Sequence, residues 1–285
     1  MADSIKISSR SGVATEPLAE FVEKHPRLMV LTGAGISAAS GIPTYRDHGG
    51  RWQHNEPIQH GDFIRDPEKR RRYWARSVAG WPAVAAAQPN GAHRALVKLE
   101  RAGRIPLLVT QNVDRLHQRA GHQQVIDLHG RLDQAACLKC GNAESRDQLQ
   151  LRLLESNPYL ERFTADLAPD GDAHVEDRLV EILEEPACLD CGGVLMPQVV
   201  FFGGTVPRAR VEAVSHALAQ ADAMLIVGSS LMVYSGYRFC KIASQRSIPI
   251  VAINQGQTRA DGMLALKLKQ DCQTSLEALV NHLGL

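Results

Sequence analysis

Residues 28–35 read LMVLTGAG. Five apolar or β-compatible residues run without alternation into glycine. A continuous apolar run of this length predicts a strand buried on both faces, as in a parallel sheet. The same event recurs along the chain. PLLVTQNVD ends at Gln111, Asn112 and Asp114, and VIDLHG at His129. VVFFGG ends at Gly203, MLIVGSS at Gly228, Ser229 and Ser230, and IVAINQG at Asn254 and Gly256. Helical periodicity lies between several of them, in LAEFVEKH, HRALVKLERAG, ARVEAVSHALAQA, YRFCKIASQR and TSLEALVNHL. Alternating strands and helices predict an α/β fold, a doubly wound, Rossmann-like parallel sheet. Ligands bind such sheets at the carboxyl ends of the strands, where all these polar residues are expected.

Composition sets the class. The chain has 285 residues, 44% hydrophobic and 22% charged, with 32 Lys plus Arg against 31 Asp plus Glu. That length holds one large domain or two modest ones. A formal net charge of +1 argues against general binding of nucleic acid or anionic membrane. No apolar run approaches the roughly 18 residues of a spanning helix. Residues 1–15 lack an apolar core of the secretory type and are expected as a flexible arm. A cytoplasmic protein is the expectation.

The pattern breaks at residues 136–194, which carry Cys137-x-x-Cys140 and Cys188-x-x-Cys191, each pair followed by glycine, with Pro158, Pro169, Pro186 and the turn-like PDGD at 169–172. Paired Cys-x-x-Cys is the zinc-ribbon spacing, and four thiolates suit one structural, tetrahedral zinc. A redox dithiol is the competing reading. The gap between the pairs exceeds the usual 15–20 residues and implies a long inserted loop. The expected organisation is a dinucleotide-binding domain from residues 16–135 and 195–285, with a zinc module at 136–194 and the sheet resuming at VLMPQVVFF.

Gly33-Ala34-Gly35-Ile36-Ser37-Ala38 opens the first strand-to-helix turn. Glycines let the backbone approach a phosphate, although a plain tight turn has the same sequence. A dehydrogenase would show an acidic residue ending a second strand about 20 positions on. Here that region is SGIPTYRDHGGRW, expected as a mobile loop over the nucleotide, carrying Arg46. His129 ends a strand near Gln111, Asn112 and Asp114, and imidazole suits a general base near neutrality. No G-x-S-x-G elbow, H-E-x-x-H or Walker lysine occurs, so the cofactor is expected to supply the reactive group.

GAGISAASGIPTYRD, TQNVD, DLHG, the two Cys pairs, MPQVVFFG, VGSSLMVYSG and the INQG strand end occur in this order over roughly residues 16–285. Together they resemble the sirtuins, NAD-dependent protein-lysine deacylases. PIQHGDF, RYWAR, LAPDGD and SGYRF are similar to the class II branch, which includes a mitochondrial sirtuin of animals.

The resemblance implies the following roles. Gly33, Ala34, Gly35, Ser37, Gly228, Ser229, Ser230, Asn254 and Gly256 line the phosphate and adenosine parts of NAD, and Cys272 sits near the adenine. Tyr45, Arg46 and Gln111 hold phosphate and ribose, while Asn112 and Asp114 receive the nicotinamide amide. The acyl-lysine peptide adds as a strand between Phe202-Gly203 and Leu231–Val233. The acyl oxygen attacks the nicotinamide ribose, nicotinamide leaves, and His129 deprotonates a ribose hydroxyl, giving lysine and O-acyl-ADP-ribose. Thr44, Tyr45, Arg131 and Gly204 depart from the residues common in the family. Tyr73 and Arg76 share a helical spacing, and a similar pair in another sirtuin class reads a carboxylate at the end of the acyl chain. A solvated basic helix face fits them too. Protein ADP-ribosylation at the same site and a non-enzymatic NAD or ADP-ribose sensor are the competing functions.

Overall fold

The computed structural model describes residues 16–285, except 48, 50, 52–56, 163–166, 169, 170 and 174. The expected arm at 1–15 lies outside the described residues. So do Pro169 and Asp170 of the expected turn and His48, Gly50 and Trp52 of the loop expected over the nucleotide.

Helix α1 (Glu16–Lys24) leads into β1 (Leu28–Thr32) and two short 3-10 turns. Helices α2 (His60–Arg65), α3 (Pro67–Ala86) and α4 (Gly91–Arg101) follow, then β2 (Leu107–Thr110), α5 (Leu116–Ala120) and β3 (Val125–Asp127). The middle of the chain forms β4 (Gly130–Cys137), β5 (Ala143–Ser145), α6 (Arg146–Ser156), β6 (Leu167–Ala168), β7 (Asp172–Ala173), α7 (Asp177–Glu181) and β8 (Leu195–Val199). The last stretch forms α8 (Arg208–Ala219), β9 (Ala223–Val227), α9 (Tyr234–Gln245), β10 (Ile250–Ile253), β11 (Leu266–Leu268) and α10 (Cys272–His282).

Six strands make one parallel sheet in the order β11-β10-β9-β1-β2-β3. The period-2 geometry of a strand splits each apolar run between two cores. Leu28 and Val30 face the core built with α1, α4 and α10, while Met29 and Leu31 face the one built with α8 and α9. Residues 28–32 are therefore buried throughout, which is why the run does not alternate. The chain winds from β1 outward through β2 and β3. It then returns to β9 on the other side of β1, so the strand order reverses between β1 and β9. A cleft opens at the strand ends beside such a reversal.

The second lobe differs from expectation. VVFFGG does not extend the parallel sheet. The strand here, β8, ends at Val199, where VVFFGG begins, and it pairs antiparallel with β4 in a three-stranded sheet ordered β5-β4-β8. Phe201 is buried and Val199, Val200 and Phe202 are half-buried, and an apolar run does not say which sheet, if any, its residues join. Pro197 lies within β8, and it is tolerated because β8 is an edge strand and β4 is its partner on one side only. The boundary expected at 135 falls inside β4, whereas the one expected at 195 coincides with the start of β8. The lobe also draws on a second piece of chain. Phe63, Trp74, Ala75 and Val78, from α2 and α3, pack in one core with Ala135, Leu149, Leu153 and Leu195. Among the described residues no helix is long and apolar enough to cross a membrane.

Candidate active site

Two backbone loops cross where the strand order reverses. The Gly33 N–H donates to Val227 O at 3.1 Å, and the Gly35 N–H to Gly228 O at 2.8 Å. A Cβ on Gly35 would stand 2.8 Å from that oxygen. Gly228 has φ +62, and a Cβ there would stand 2.4 Å from the Ile36 nitrogen. Only glycine permits both the left-handed backbone and the close approach. Asn90 ties this crossing to α4: it accepts the Ala92 N–H at 2.9 Å as N-cap and donates to Ile36 O at 2.7 Å.

The crossing borders a cavity of about 1180 Å³ between the two lobes. Gly33, Ala34, Gly35, Gly228, Ser229 and Ser230 line one stretch of it, with Asn254, Gly256 and Cys272 continuing the wall. Tyr45 and Arg46 line it from the loop after β1, with Tyr45 packed edge-on to Phe202 at 6.2 Å between ring centres. Gln111, Asn112 and His129 line it at the ends of β2 and β3. Tyr73, Arg76, Phe202, Gly203 and Val233 complete the residues expected there.

Ser37 and Asp114 are placed differently. Neither lines this cavity; both sit behind Asn112. The Asn112 amide donates to Gly33 O at 3.1 Å and to Ser37 Oγ at 3.0 Å. Both amide hydrogens are thus used, which leaves the side-chain oxygen as an acceptor for a ligand. Ser37 in turn donates to Asp114 at 2.7 Å, and the Leu116 N–H donates to the other carboxylate oxygen at 2.9 Å. Burial raises the Asp114 carboxyl above the usual range, and these two hydrogen bonds pull against it.

Gln111 bridges to Ser229, donating to its Oγ at 2.6 Å. Its main-chain oxygen lies 2.9 Å from His129 Nδ1. The His129 ring is pushed down to about 4, first by burial, against the pull of the Gln111 carbonyl, with Arg210 and Arg238 lowering it further. It is a neutral base at pH 7.

Arg76 is engaged: it forms an ion pair with Asp172 and donates to Ala173 O at 3.1 Å. Asp172 also lines the cavity. Burial pushes the Tyr73 hydroxyl well above its ordinary range, so it stays neutral. Sequence reasoning passed over Asp172 and Ser235 as site residues. Leu231 carries φ +57 on the cavity wall, a conformation no local signal announced.

The four cysteines converge. Their sulfurs lie within 4.8 Å of one another, with Cys137 and Cys191 at 3.5 Å and Cys140 and Cys188 at 3.6 Å. Four thiolates around one zinc stand about 3.8 Å apart, as Zn–S bonds of about 2.3 Å require. The donor set fits that metal. Cys240 instead packs in the sheet core, and Cys272 is buried, its thiol pushed up to about 12.

A family model described as the Sir2 family matches residues 33–235. The chain is 52% identical to an NAD-dependent protein deacetylase 2 of Bradyrhizobium diazoefficiens, over 95% of this chain and 100% of that one. It is 47% identical to a mitochondrial NAD-dependent protein lipoamidase, sirtuin-4, of Bos taurus, over 90% of this chain and 82% of that one. A solved structure described as Sir2 with a p53 peptide and NAD+ superposes with TM-score 0.77 at 29% identity, covering 95% and 98% of the two chains. A family model that spans residues 33–235 and a relative 52% identical over nearly the whole chain agree, and the chain belongs to the Sir2 family.

Proposed function

We infer that the protein is an NAD-dependent protein-lysine deacylase. The observation that carries this is the corner where a neutral His129, Gln111 and Asn112 meet the glycine crossing in one cavity. When bound, NAD supplies an electrophilic ribose carbon that loses nicotinamide, while the substrate's acyl oxygen is the nucleophile. That division explains why a deacylase needs no serine or cysteine nucleophile.

The chain's own residues do the rest. The backbone of Gly33–Gly35 and Gly228–Ser230 approaches the phosphates, with Arg46 for charge. Asn254, Gly256 and Cys272 face the adenosine end, and Gln111 holds the ribose. Asn112, steadied by Ser37 and Asp114, receives the nicotinamide amide through its side-chain oxygen. His129 Nε2 takes the proton of a ribose hydroxyl, and the acyl group leaves as O-acyl-ADP-ribose. Acyl-lysine proteins or peptides enter between Phe202-Gly203 and Val233, both on the cavity wall. The relatives' names include both acetyl and lipoyl removal. The Arg76–Asp172 pair is neutral as a unit, which favours uncharged acyl chains over carboxylates in the wild-type protein. The four cysteines hold one structural zinc.

The test is mass spectrometry of acetyl-, lipoyl- and glutaryl-lysine peptides with and without NAD. NAD-dependent loss of the acyl mass with release of nicotinamide is expected. Peptides unchanged across the series would overturn the reading.

A further inference from the structure

The His129 ring is held at both nitrogens. Nδ1 faces the main-chain oxygen of Gln111 at 2.9 Å. A carbonyl only accepts, so in the neutral ring Nδ1 carries the hydrogen and Nε2 the lone pair. Nε2 is the nitrogen available for base chemistry, and it lies 2.7 Å from Ser235 Oγ. With Nε2 unprotonated, the serine hydroxyl is the donor.

Ser235 is only 9% exposed, yet it lines the cavity. It is the second residue of α9, whose backbone fixes where the hydroxyl starts. Its neighbour serves the same corner: a Cβ on Gly236 would stand 2.5 Å from Gln111 Oε1. Consecutive residues of one helix therefore set the base and make room for the ribose-holding amide. Other groups facing the ring are Arg238 from α9 and Arg210 from α8, both cationic and neither a substitute for a donor at Nε2.

We propose that Ser235 is a positioning residue for the general base, its hydroxyl holding the rotamer of His129, in the tautomer that the Gln111 carbonyl sets, with Nε2 directed into the cavity. The role rests on the reading of His129 given above. When a ribose hydroxyl arrives, the serine hydroxyl turns about its Cβ–Oγ bond and yields the lone pair. The ribose O–H bond then breaks, its proton forms the Nε2–H bond, and the electron pair stays on the ribose oxygen. No backbone movement is needed, which suits a group that must hold the ring and then give way.

The base acts after nicotinamide has left, so the two halves of the reaction separate the roles. Ser235→Ala, Ser235→Thr and His129→Ala are compared in nicotinamide–NAD exchange and in single-turnover deacylation of an acetyl peptide. For Ser235→Ala, deacylation is expected to fall between about 10- and 100-fold, the scale of a misplaced catalytic group, with exchange and the KM for NAD within about twofold of wild type. Ser235→Thr, which keeps the hydroxyl, should recover most of the rate. An Ala variant with wild-type deacylation overturns the proposal. So does equal loss of exchange and deacylation, which marks a structural role, or a Thr variant as slow as Ala. A fully active His129→Ala would instead overturn the assignment of the base, whatever Ser235 does.

Discussion

At pH 7 the His129 ring is neutral, and its surroundings are the reason. Burial removes the water that would stabilise an imidazolium, and two arginines oppose it further. The acid limb of kcat/KM should therefore fall nearer pH 4 than the 6.5 of a free imidazole. His129→Ala should lower deacylation by roughly 10²- to 10⁴-fold, the usual worth of a general base, while isothermal titration still detects NAD. Asn112 and Asp114 are predicted to differ. Asn112→Ala removes the group that faces nicotinamide, whereas Asp114→Ala acts through Ser37 and Asn112. Nicotinamide inhibition should weaken in both variants and more in the first; inhibition unchanged in both would refute the pocket. Arg76 supplies a third case. Its charge is spent on Asp172. Asp172→Asn should free it and raise the glutaryl-to-acetyl ratio of kcat/KM by about tenfold or more, the worth of a charge-assisted hydrogen bond. A ratio unmoved by Asp172→Asn would mean that Arg76 does not reach the acyl end.

At the scale of elements, β4 links the cysteine cluster to the site. It begins at Gly130, directly after His129, and ends at Cys137, the first metal-binding candidate. The His129 carbonyl also accepts the Val200 N–H at 2.7 Å, just beyond β8. Losing the metal would loosen the turn that closes β4 and, through β4, the base. Metal analysis should find about one zinc per chain. Cys137→Ser should lower zinc content, thermal stability and turnover together, because metal binding in such modules is folding free energy. Purified protein with no zinc and full stability would refute the assignment.

At the scale of the whole molecule, acid stability follows from buried imidazoles. His93, His117 and His122 pack ring against ring beneath the sheet ends, centroids 4.8 and 5.3 Å apart. Burial lowers all three, His93 to about 3, and His129 is lowered as well. The sign is set by linkage. Below pH 6.5 the unfolded chain binds protons that the native rings refuse, so stability present above 6.5 is lost as pH falls. Each such histidine contributes a slope approaching about 1.4 kcal/mol per pH unit. Asp114 and Asp127, raised by burial, act in the opposite direction, but they are two groups against four. The urea midpoint should be lower at pH 5 than at pH 7.5; equal midpoints would show that the rings take up protons in the native state.

What the sequence determined by itself was whatever a short window encodes. Apolar runs mark five of the six strands of the parallel sheet; VVFFGG at 199–204 reads as another strand of it but lies outside it, and β11 at 266–268 carries no such run. Glycine marked the crossing at Gly33–Gly35, Cys-x-x-Cys marked the cluster, and His129 was legible at a strand end. Tertiary structure alone decided which residues meet. Ser235 reaches His129 across 106 positions, and Asp172 reaches Arg76 across 96. Ser37 withdraws behind Asn112 from 75 positions away. The second lobe takes α2 and α3 from one part of the chain and the β4–β8 sheet from another. Hydrophobic burial depends on the residue and its period, so it is written locally. A hydrogen bond or ion pair depends on the path of two distant segments through space, and no window of sequence contains that path.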